Sequence, residues 1–190
     1  MENTRYSTLV ELEAGLDFVR QSPTDTGRLE LIVRRPQVGE REIINEAVLS
    51  RETGLVGDTW ILRGSSRTLD GAPHPDMQLT LMNSRVISLL TQSKDQWALV
   101  GDQLFVDLDL SVANIPPGTQ LAIGSAVVEI TAQPHTGCQK FAARFGQEAL
   151  IFVNSPIRRE LHLRGVNARV IQPGKIQIGD VVKKSKGVGA

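Results

Sequence analysis

Hydrophobic residues near the N-terminus recur at spacings of three and four positions, which predicts one amphipathic helix over residues 7–20. We expect this helix to pack outside the main fold. A second, shorter helix is predicted to start near Ser84, because Asn83 or Ser84 is a suitable N-cap and apolar residues follow. The apolar face of the first helix consists of Leu9, Leu12, Leu16 and Val19.

Most other hydrophobic residues lie in short extended stretches, separated by turns rich in proline and glycine, which is typical of β-strands. The stretches lack the regular alternation with helices that a doubly wound α/β fold requires. The predicted fold class is therefore mainly β (α+β), an antiparallel or mixed β-barrel with peripheral helices. The predicted strands span residues 28–35, 41–49, 77–83, 103–108, 119–123, 126–132, 165–171 and 175–182.

A long polar segment, residues 61–76, interrupts the series of strands. Loops of this length in compact domains are usually functional, and this one is a candidate lid. His74 in the loop is a candidate metal ligand or base. Arg63 and Arg67 bracket a short glycine-containing turn that is suited to a phosphate, with a solvated loop as the alternative.

The chain has 190 residues, of which 41% are hydrophobic, with 21 Lys+Arg and 21 Asp+Glu, as in one soluble globular domain. It shows no membrane-length apolar run and no secretory signal pattern, so we expect no membrane partner and a cytoplasmic location. The few aromatic residues are not interleaved with basic ones, so we expect no nucleic-acid partner. Residues 138–190 carry 10 basic and 3 acidic residues, a net charge of +7, which indicates a solvated surface or an anion site.

The single cysteine, Cys138, lies in the most informative segment, residues 134–146. A short helix is predicted directly after it, ending at Gly146. Backbone N–H groups at a helix N-terminus stabilise a thiolate relative to a thiol. His135 would assist if protonated. A buried, inert cysteine is the alternative, since free cysteines are commonly buried.

Two basic residues, Lys140 and Arg144, share one face of this predicted helix and suggest an anionic ligand. A cysteine hydrolase that pairs Cys138 with His135 or His162 is another reading of the same residues. A zinc site is disfavoured, because three histidines and one cysteine offer few ways to assemble its ligands.

Several short motifs follow one another along the chain. They are GLVGD at 54–58, GDQLFV at 101–106, LDLS at 108–111, Pro117-Gly118 with Ile123-Gly124, the Cys138 segment, RGVNARV at 164–170 and Gly179-Asp180. In order and spacing they resemble the MOSC domain, the C-terminal domain of molybdenum cofactor sulfurase, over residues 28–184. The sequence departs from the common family pattern at Asp102-Gln103, where many members have Glu-Asn, and at Thr59-Trp60, where a basic residue is usual.

The resemblance implies a β-barrel similar to that of pyruvate kinase and a molybdenum-pterin cofactor. It also implies that Cys138 is a catalytic cysteine that carries sulfur as a persulfide or ligates molybdenum. His135, three residues upstream, is the second catalytic candidate because of its position in the sequence. From the family pattern we carry over Asp58, Asp102 and Arg164 as cofactor-binding residues. We add Lys140 and Arg144, which follow Cys138 in the sequence, as further cofactor-binding residues.

The implied activity is that of a sulfurtransferase-like protein or a molybdenum-cofactor-dependent reductase, with a cysteine desulfurase or a redox protein as partner. The alternatives are a non-catalytic carrier module for the pterin cofactor and, with less support, a metal-free cysteine hydrolase. We expect no pyridoxal phosphate in this chain, and the oligomeric state stays open. The predicted organisation is an N-terminal helical extension (1–27), a MOSC domain (28–184) and a flexible tail (185–190).

Overall fold

The strands of the protein form two sheets, as seen in a computed structural model that describes residues 6–91 and 93–185. The strands are β1 (Thr26–Arg34), β2 (Glu42–Ile44), β3 (Glu46–Ser50), β4 (Gly54–Leu55), β5 (Leu79–Asn83), β6 (Leu104–Asp107), β7 (Gln120–Ile123), β8 (Ala126–Ile130), β9 (Val166–Gln172), β10 (Gly174–Gln177) and β11 (Val181–Ser185). The helices are α1 (Leu9–Ala14), α2 (Leu16–Arg20), α3 (Ser84–Leu90), α4 (Gln139–Phe145) and α5 (Gln147–Asn154).

Seven strands close into a barrel in the order β11-β7-β8-β9-β5-β6-β1, and β1 pairs back to β11. The pairing of β5 with β6 is parallel, whereas the other pairs in the ring are antiparallel. Strand β2 pairs in antiparallel orientation with the C-terminal end of β1. Strands β10, β3 and β4 form a small second sheet. The predicted mainly β fold with a mixed barrel and peripheral helices is confirmed.

Apolar side chains fill two regions. One is the barrel interior, lined by alternate residues of the strands, such as Leu81 on β5 and Leu104 on β6. The other lies outside the barrel, where Met82 and Phe105, the next residues along these strands, pack against the helices. Strands β5 and β6 are thus apolar on both faces, as expected of strands covered on both sides.

The N-terminal segment forms two short helices and not the single helix predicted from its periodicity. The break is at Gly15, where an added Cβ would lie 2.5 Å from Cδ2 of Leu89 on α3. Glycine has a low helix propensity, which favours ending a helix here, and its lack of a side chain leaves room for Leu89. Thr8 and Glu11 form a capping box at the start of α1. The apolar face packs on the outer layer, outside the barrel, as expected.

The other local predictions for helices agree with the structure. Asn83 caps α3 by accepting from the backbone N–H of Arg85 at 2.8 Å. The end of the chain differs from expectation at one position, because Ser185, assigned to the tail, is the last residue of β11; residues 186–190 of that tail lie outside the described residues. Among the described helices, none has the length and apolar character needed to cross a lipid bilayer.

The turn into β9 requires glycine for two separate reasons, which a pair of variants distinguishes. Gly165 has φ +101°, and an added Cβ would lie 2.2 Å from the carbonyl oxygen of Leu81. Gly118 has a similar φ of +90° but open space around it. We expect Gly165→Ala to lower the free energy of unfolding by more than about 3 kcal/mol, and Gly118→Ala by about 1 kcal/mol, in urea titrations. Equal losses would show that the close approach to β5 costs nothing.

Candidate functional site

Two charged side chains from different strand starts form a buried ion pair beside β5. Asp102 precedes β6 and Arg164 precedes β9, and these strands flank β5 on opposite sides. Nη1 of Arg164 donates to Oδ2 of Asp102, and Nη2 donates to the carbonyl of Val100 at 3.2 Å. The side chain of Asp102 is fully buried and that of Arg164 is 9% exposed. The pair therefore joins two strands at a position where an unpaired charge would be costly.

A second buried ion pair, between Arg35 and Asp58, contacts the backbone next to Asp102. Nε and Nη2 of Arg35 each donate to one carboxylate oxygen of Asp58 at 2.7 Å. Asp58 also accepts from the backbone N–H groups of Arg35 and Trp60. Nη1 of Arg35 donates to the carbonyl of Gly101, next to Asp102, at 3.1 Å. Both oxygens of Asp58 are thus committed to protein groups, so its direct effect is to orient Arg35.

Arg41 lies within electrostatic range of three other arginines, and we call Arg35, Arg41, Arg63 and Arg144 the arginine cluster. Partial burial lowers the pKa of Arg41, and the positive charges of Arg144, Arg35 and Arg63 lower it further. Burial and then the charge of Arg35 lower the pKa of Arg63. Asp58 opposes both shifts. Because Asp58 is already paired with Arg35, the cluster carries excess positive charge.

One atom of the cluster shows the same excess in its hydrogen bonding. Nε of Arg41 is buried and has no hydrogen-bond partner in the described part of the chain. Buried polar atoms of native proteins normally have a partner, so an orphaned donor calls for an explanation. A bound anion would supply both the missing acceptor and the missing negative charge.

His135 lies against the Asp102–Arg164 pair, with Nδ1 3.4 Å from Oδ1 of Asp102. Neither atom has a hydrogen-bond partner within residues 6–91 and 93–185. Burial lowers the pKa of His135 to about 3, and the charge of Arg164 adds to the shift while Asp102 opposes it. The imidazole is therefore neutral at neutral pH. Protonation, the condition on which His135 was expected to assist the thiol, is therefore absent at neutral pH.

Cys138 lies at the N-terminus of a short helix, as predicted. It is the N-cap residue of α4, and its carbonyl accepts from the N–H groups of Phe141 at 2.9 Å and Ala142 at 3.1 Å. The side chain is exposed, and its sulfur makes no hydrogen bond to any residue that the structure describes. The alternative of a buried, inert cysteine is therefore wrong.

Asn154, the last residue of α5, fixes the residue before Cys138. Its Oδ1 accepts from the N–H of Gly137 at 2.8 Å, and its Nδ2 donates to the carbonyl of Gly137 at 3.0 Å. A Cβ added at Gly137 would lie 2.8 Å from Cδ1 of Leu150, so glycine lets the thiol segment approach α5 closely. No local sequence signal marks Asn154, because its role depends on a contact with a residue 17 positions away.

Helix α4 connects the thiol segment to two of the predicted cofactor-binding residues, Arg164 and Arg144. The guanidinium of Arg164 lies 5.3 Å from the ring centre of Phe141, on the first turn of α4. Arg144, in the last turn of the same helix, belongs to the arginine cluster. Lys140 is exposed and makes no hydrogen bond or ion pair with other described residues. Helix α4 therefore has Cys138 at its start, Arg164 against its first turn and Arg144 in its last turn, with Lys140 at its exposed surface.

Gln103, where many MOSC domains have Asn, has a structural role that its position in the sequence did not reveal. It is fully buried, and its Oε1 accepts from both the N–H and the hydroxyl of Thr80 at 2.8 and 2.7 Å. Its Nε2 donates to the carbonyl of Gln78 at 3.1 Å. These bonds fix the start of β6 against β5 and thereby position the neighbouring Asp102.

The remaining candidates from the polar loop do not form a metal site. No group of three or more His, Cys, Asp and Glu side chains is placed to hold a metal ion in the parts of the chain that are described. His74 instead caps the 3₁₀ turn Pro75–Met77 through Nδ1. Arg63 belongs to the arginine cluster, whereas Arg67 donates to Gln133 at 3.3 Å.

The neutral state of His135 predicts a pH dependence of stability. The folded-state pKa of about 3 lies below the ordinary value of 6.5, so the unfolded chain binds the proton more readily. Stability from this residue is therefore complete above pH 6.5 and is lost as the pH falls toward 3. Between pH 7 and pH 5 we expect a loss of about 2 kcal/mol through this residue. Urea titrations should show a shallower loss for His135→Gln than for the wild type, and equal slopes would contradict the prediction.

The barrel is similar to those of solved structures with low sequence identity. The YUAD protein from Bacillus subtilis has a TM-score of 0.62 and 13% identity, over 85% of this chain and 97% of that chain. YiiM from Escherichia coli has a TM-score of 0.53 and 20% identity, over 86% of this chain and 72% of that chain. At such identities these matches support the fold alone. No curated protein matches the chain.

A family model gives the more specific result. The model of the MOSC domain matches residues 75–183, more than half of the chain. The matched region contains Asp102, His135, Cys138 and Arg164. Three members of the arginine cluster, Arg35, Arg41 and Arg63, lie before this region. The resemblance noted from the sequence motifs is therefore confirmed, and the chain belongs to the MOSC domain family.

Proposed function

We propose that this MOSC protein binds a molybdenum-pterin cofactor between the arginine cluster and Cys138, and that Cys138 either ligates molybdenum or carries a persulfide whose outer sulfur passes to the cofactor. The observation that carries the proposal is the position of α4. This helix follows an exposed, unpaired thiol and carries Arg144 in its last turn, within a set of arginines that has more positive charge than Asp58 balances. A ligand that is both anionic and has an affinity for sulfur matches both ends.

The arginine cluster fits the anionic part of such a cofactor. Guanidinium groups bind phosphate with two parallel hydrogen bonds, and they stay charged even when partly buried. The orphaned Nε of Arg41 offers a donor that no described protein group uses. Arg35 is held by Asp58 in a fixed orientation, which reduces the conformational entropy lost on binding. Arg41, Arg63 and Arg144 would therefore contact the phosphate, with Arg35 behind them.

Cys138 fits the metal part. A thiolate is a soft ligand that suits molybdenum and sulfur better than a carboxylate does, and a thiol can also carry a persulfide. When bound, the cofactor would supply a redox-active metal. Asn154 holds the backbone next to the thiol, and Arg164 fixes α4 through Phe141. The chain itself therefore positions the sulfur and neutralises the negative charge.

The two acidic residues assigned to cofactor binding act through arginines. Asp58 and Asp102 each pair with one buried arginine. A carboxylate in direct contact with a phosphate would repel it, so the contribution of both residues is to position Arg35 and Arg164. Lys140, exposed on α4, would add long-range attraction for an anion.

The metal-free hydrolase has no support from the geometry. Such an enzyme needs a base within hydrogen-bond reach of its nucleophile. Within the described residues, neither His135 nor His162 makes a hydrogen bond to the sulfur of Cys138; Nδ1 of His162 instead lies 2.8 Å from the carbonyl of Leu110. The carrier module remains an outcome of the experiments below, since it would bind the cofactor without turnover.

The arginine cluster predicts a distinctive pair of effects for Arg41→Gln. Removing one of several like charges should leave the anion-free protein as stable as the wild type or slightly more stable. The same change should weaken the binding of inorganic phosphate about tenfold, because one charge-assisted contact is lost. Thermal unfolding with and without phosphate, at constant ionic strength, measures both effects. Arg20→Gln, at an exposed position of α2, is the matched control and should bind phosphate as the wild type does.

The role of the thiol is tested by metal content. Protein produced in a host that makes the molybdenum cofactor is expected to retain molybdenum and pterin in about equal amounts, whereas Cys138→Ser should lose most of the molybdenum. The measurement is elemental analysis together with native mass spectrometry. Equal molybdenum in the two proteins would remove the ligand role, and retained pterin without activity in either would favour the carrier module.

Sulfur transfer makes a separate demand on the same residue. Incubation with a cysteine desulfurase and labelled cysteine should then place one extra sulfur on Cys138. A protein that holds molybdenum through Cys138 but accepts no sulfur would be assigned to reductive chemistry with a redox partner. An unlabelled protein without molybdenum would contradict both roles.

A further inference from the structure

A cavity of about 540 Å³ lies beside the residues that lead to Cys138. Its volume is within the range of about 300–1,000 Å³ that is usual for small-molecule sites. Thr136, two residues before Cys138, lines the cavity, and so does Asn154, which holds Gly137. A molecule in the cavity would therefore lie next to the thiol segment. The cavity is also bounded by residues 159–166, which connect α5 to β9.

The apolar part of the cavity wall is aliphatic. Valine, proline, alanine and leucine side chains contribute to it, and no Phe, Tyr or Trp lines it among the described residues. Such a wall favours a ligand with a compact aliphatic body, because burial of apolar surface provides the main gain in free energy. The apolar residues are Val112, Pro117, Ala132, Pro134, Val153, Leu163 and Val166.

The charged part of the wall is entirely positive. Arg159 and Arg164 line the cavity, and no Asp or Glu of the described chain does. Arg164 is balanced by Asp102, although its Nε is buried without a hydrogen-bond partner in the described structure. Arg159 makes no side-chain hydrogen bond or ion pair with residues in 6–91 or 93–185, whereas the adjacent Arg158 pairs with Glu13. Because the side chain of Arg159 is exposed, its guanidinium is available to an anion that enters the cavity.

His162 adds one hydrogen-bond acceptor to the wall. Its Nδ1 lies 2.8 Å from the carbonyl of Leu110, and because a carbonyl only accepts, the proton of the neutral ring is on Nδ1. Nε2 is then free to accept. His162 has φ +46°, the one positive φ among non-glycine residues in the described structure. The residue ends the 3₁₀ turn Pro156–Leu161, where a left-handed conformation is a common way to terminate a helical turn.

We infer that the cavity binds a small aliphatic carboxylic acid, with its carboxylate at Arg159 and a hydroxyl or amine donor at Nε2 of His162. Because the cavity adjoins the thiol segment, such an acid is also the substrate class of the Cys138 site. The assignment as substrate rests on the proposed function, whereas the assignment of the cavity as a carboxylate site does not.

Binding is tested on the full chain purified without cofactor. Cyclohexanecarboxylate and the isosteric neutral amide, cyclohexanecarboxamide, are titrated by calorimetry or NMR at constant ionic strength. We expect the acid to bind at least about tenfold more tightly than the amide. Arg159→Gln should remove most of this preference with little effect on the amide, and Arg159→Lys should keep much of it. Arg20→Gln, which does not line the cavity, should behave as the wild type.

Equal affinity for acid and amide, an absence of binding, or an unchanged preference in Arg159→Gln would overturn the carboxylate site, whatever the molybdenum content of the protein. Proximity to the thiol is tested by alkylation with iodoacetamide. Saturating cyclohexanecarboxylate should slow the modification of Cys138 at least about threefold, and an unchanged rate would overturn the substrate assignment. Loss of the proposed function alone would appear as molybdenum that is independent of Cys138, with carboxylate binding intact.

Discussion

The buried ion pair between Asp102 and Arg164 is the contact on which the arrangement of the site depends. It joins the starts of β6 and β9, which reach β5 from opposite sides. The same guanidinium lies over Phe141 and so fixes α4, which carries Cys138 at its N-terminus. Loss of one partner would leave the other charge buried and unpaired, at a cost of about 3–5 kcal/mol. Barrel closure and thiol position are therefore coupled through one pair of side chains.

Around this pair the protein keeps more positive charge than its own carboxylates balance. The arginine cluster includes Arg35, which contacts Gly101, and the cavity has Arg159 and Arg164 in its wall. The carboxylates of Asp58 and Asp102 are already paired with Arg35 and Arg164. Such an excess destabilises the free protein and is offset when an anion binds. Two adjoining cationic regions, one beside each end of α4, suit a phosphorylated cofactor and an acidic substrate.

Local patterns predicted the local structure well. The cap at Asn83, the alternating strands and the helix that begins after Cys138 all follow from interactions between residues close in sequence. The N-terminal helix was predicted wrongly as one element, because the space beside Gly15 is limited by Leu89, about seventy positions further along the chain. Arg41 and Asn154 were not identified as candidate site residues from the sequence, because nothing near either residue along the chain indicates its tertiary neighbours.

The sequence by itself determined the mainly β architecture, the family and the place of the single cysteine at a helix start. Hydrophobic periodicity and turn chemistry act over a few residues, and the family motifs are read in order along the chain. The tertiary structure decided that His135 is neutral, that Cys138 is exposed and that four arginines converge. Protonation, exposure and charge crowding depend on burial and on distances between remote residues, and those quantities exist only once the barrel has closed.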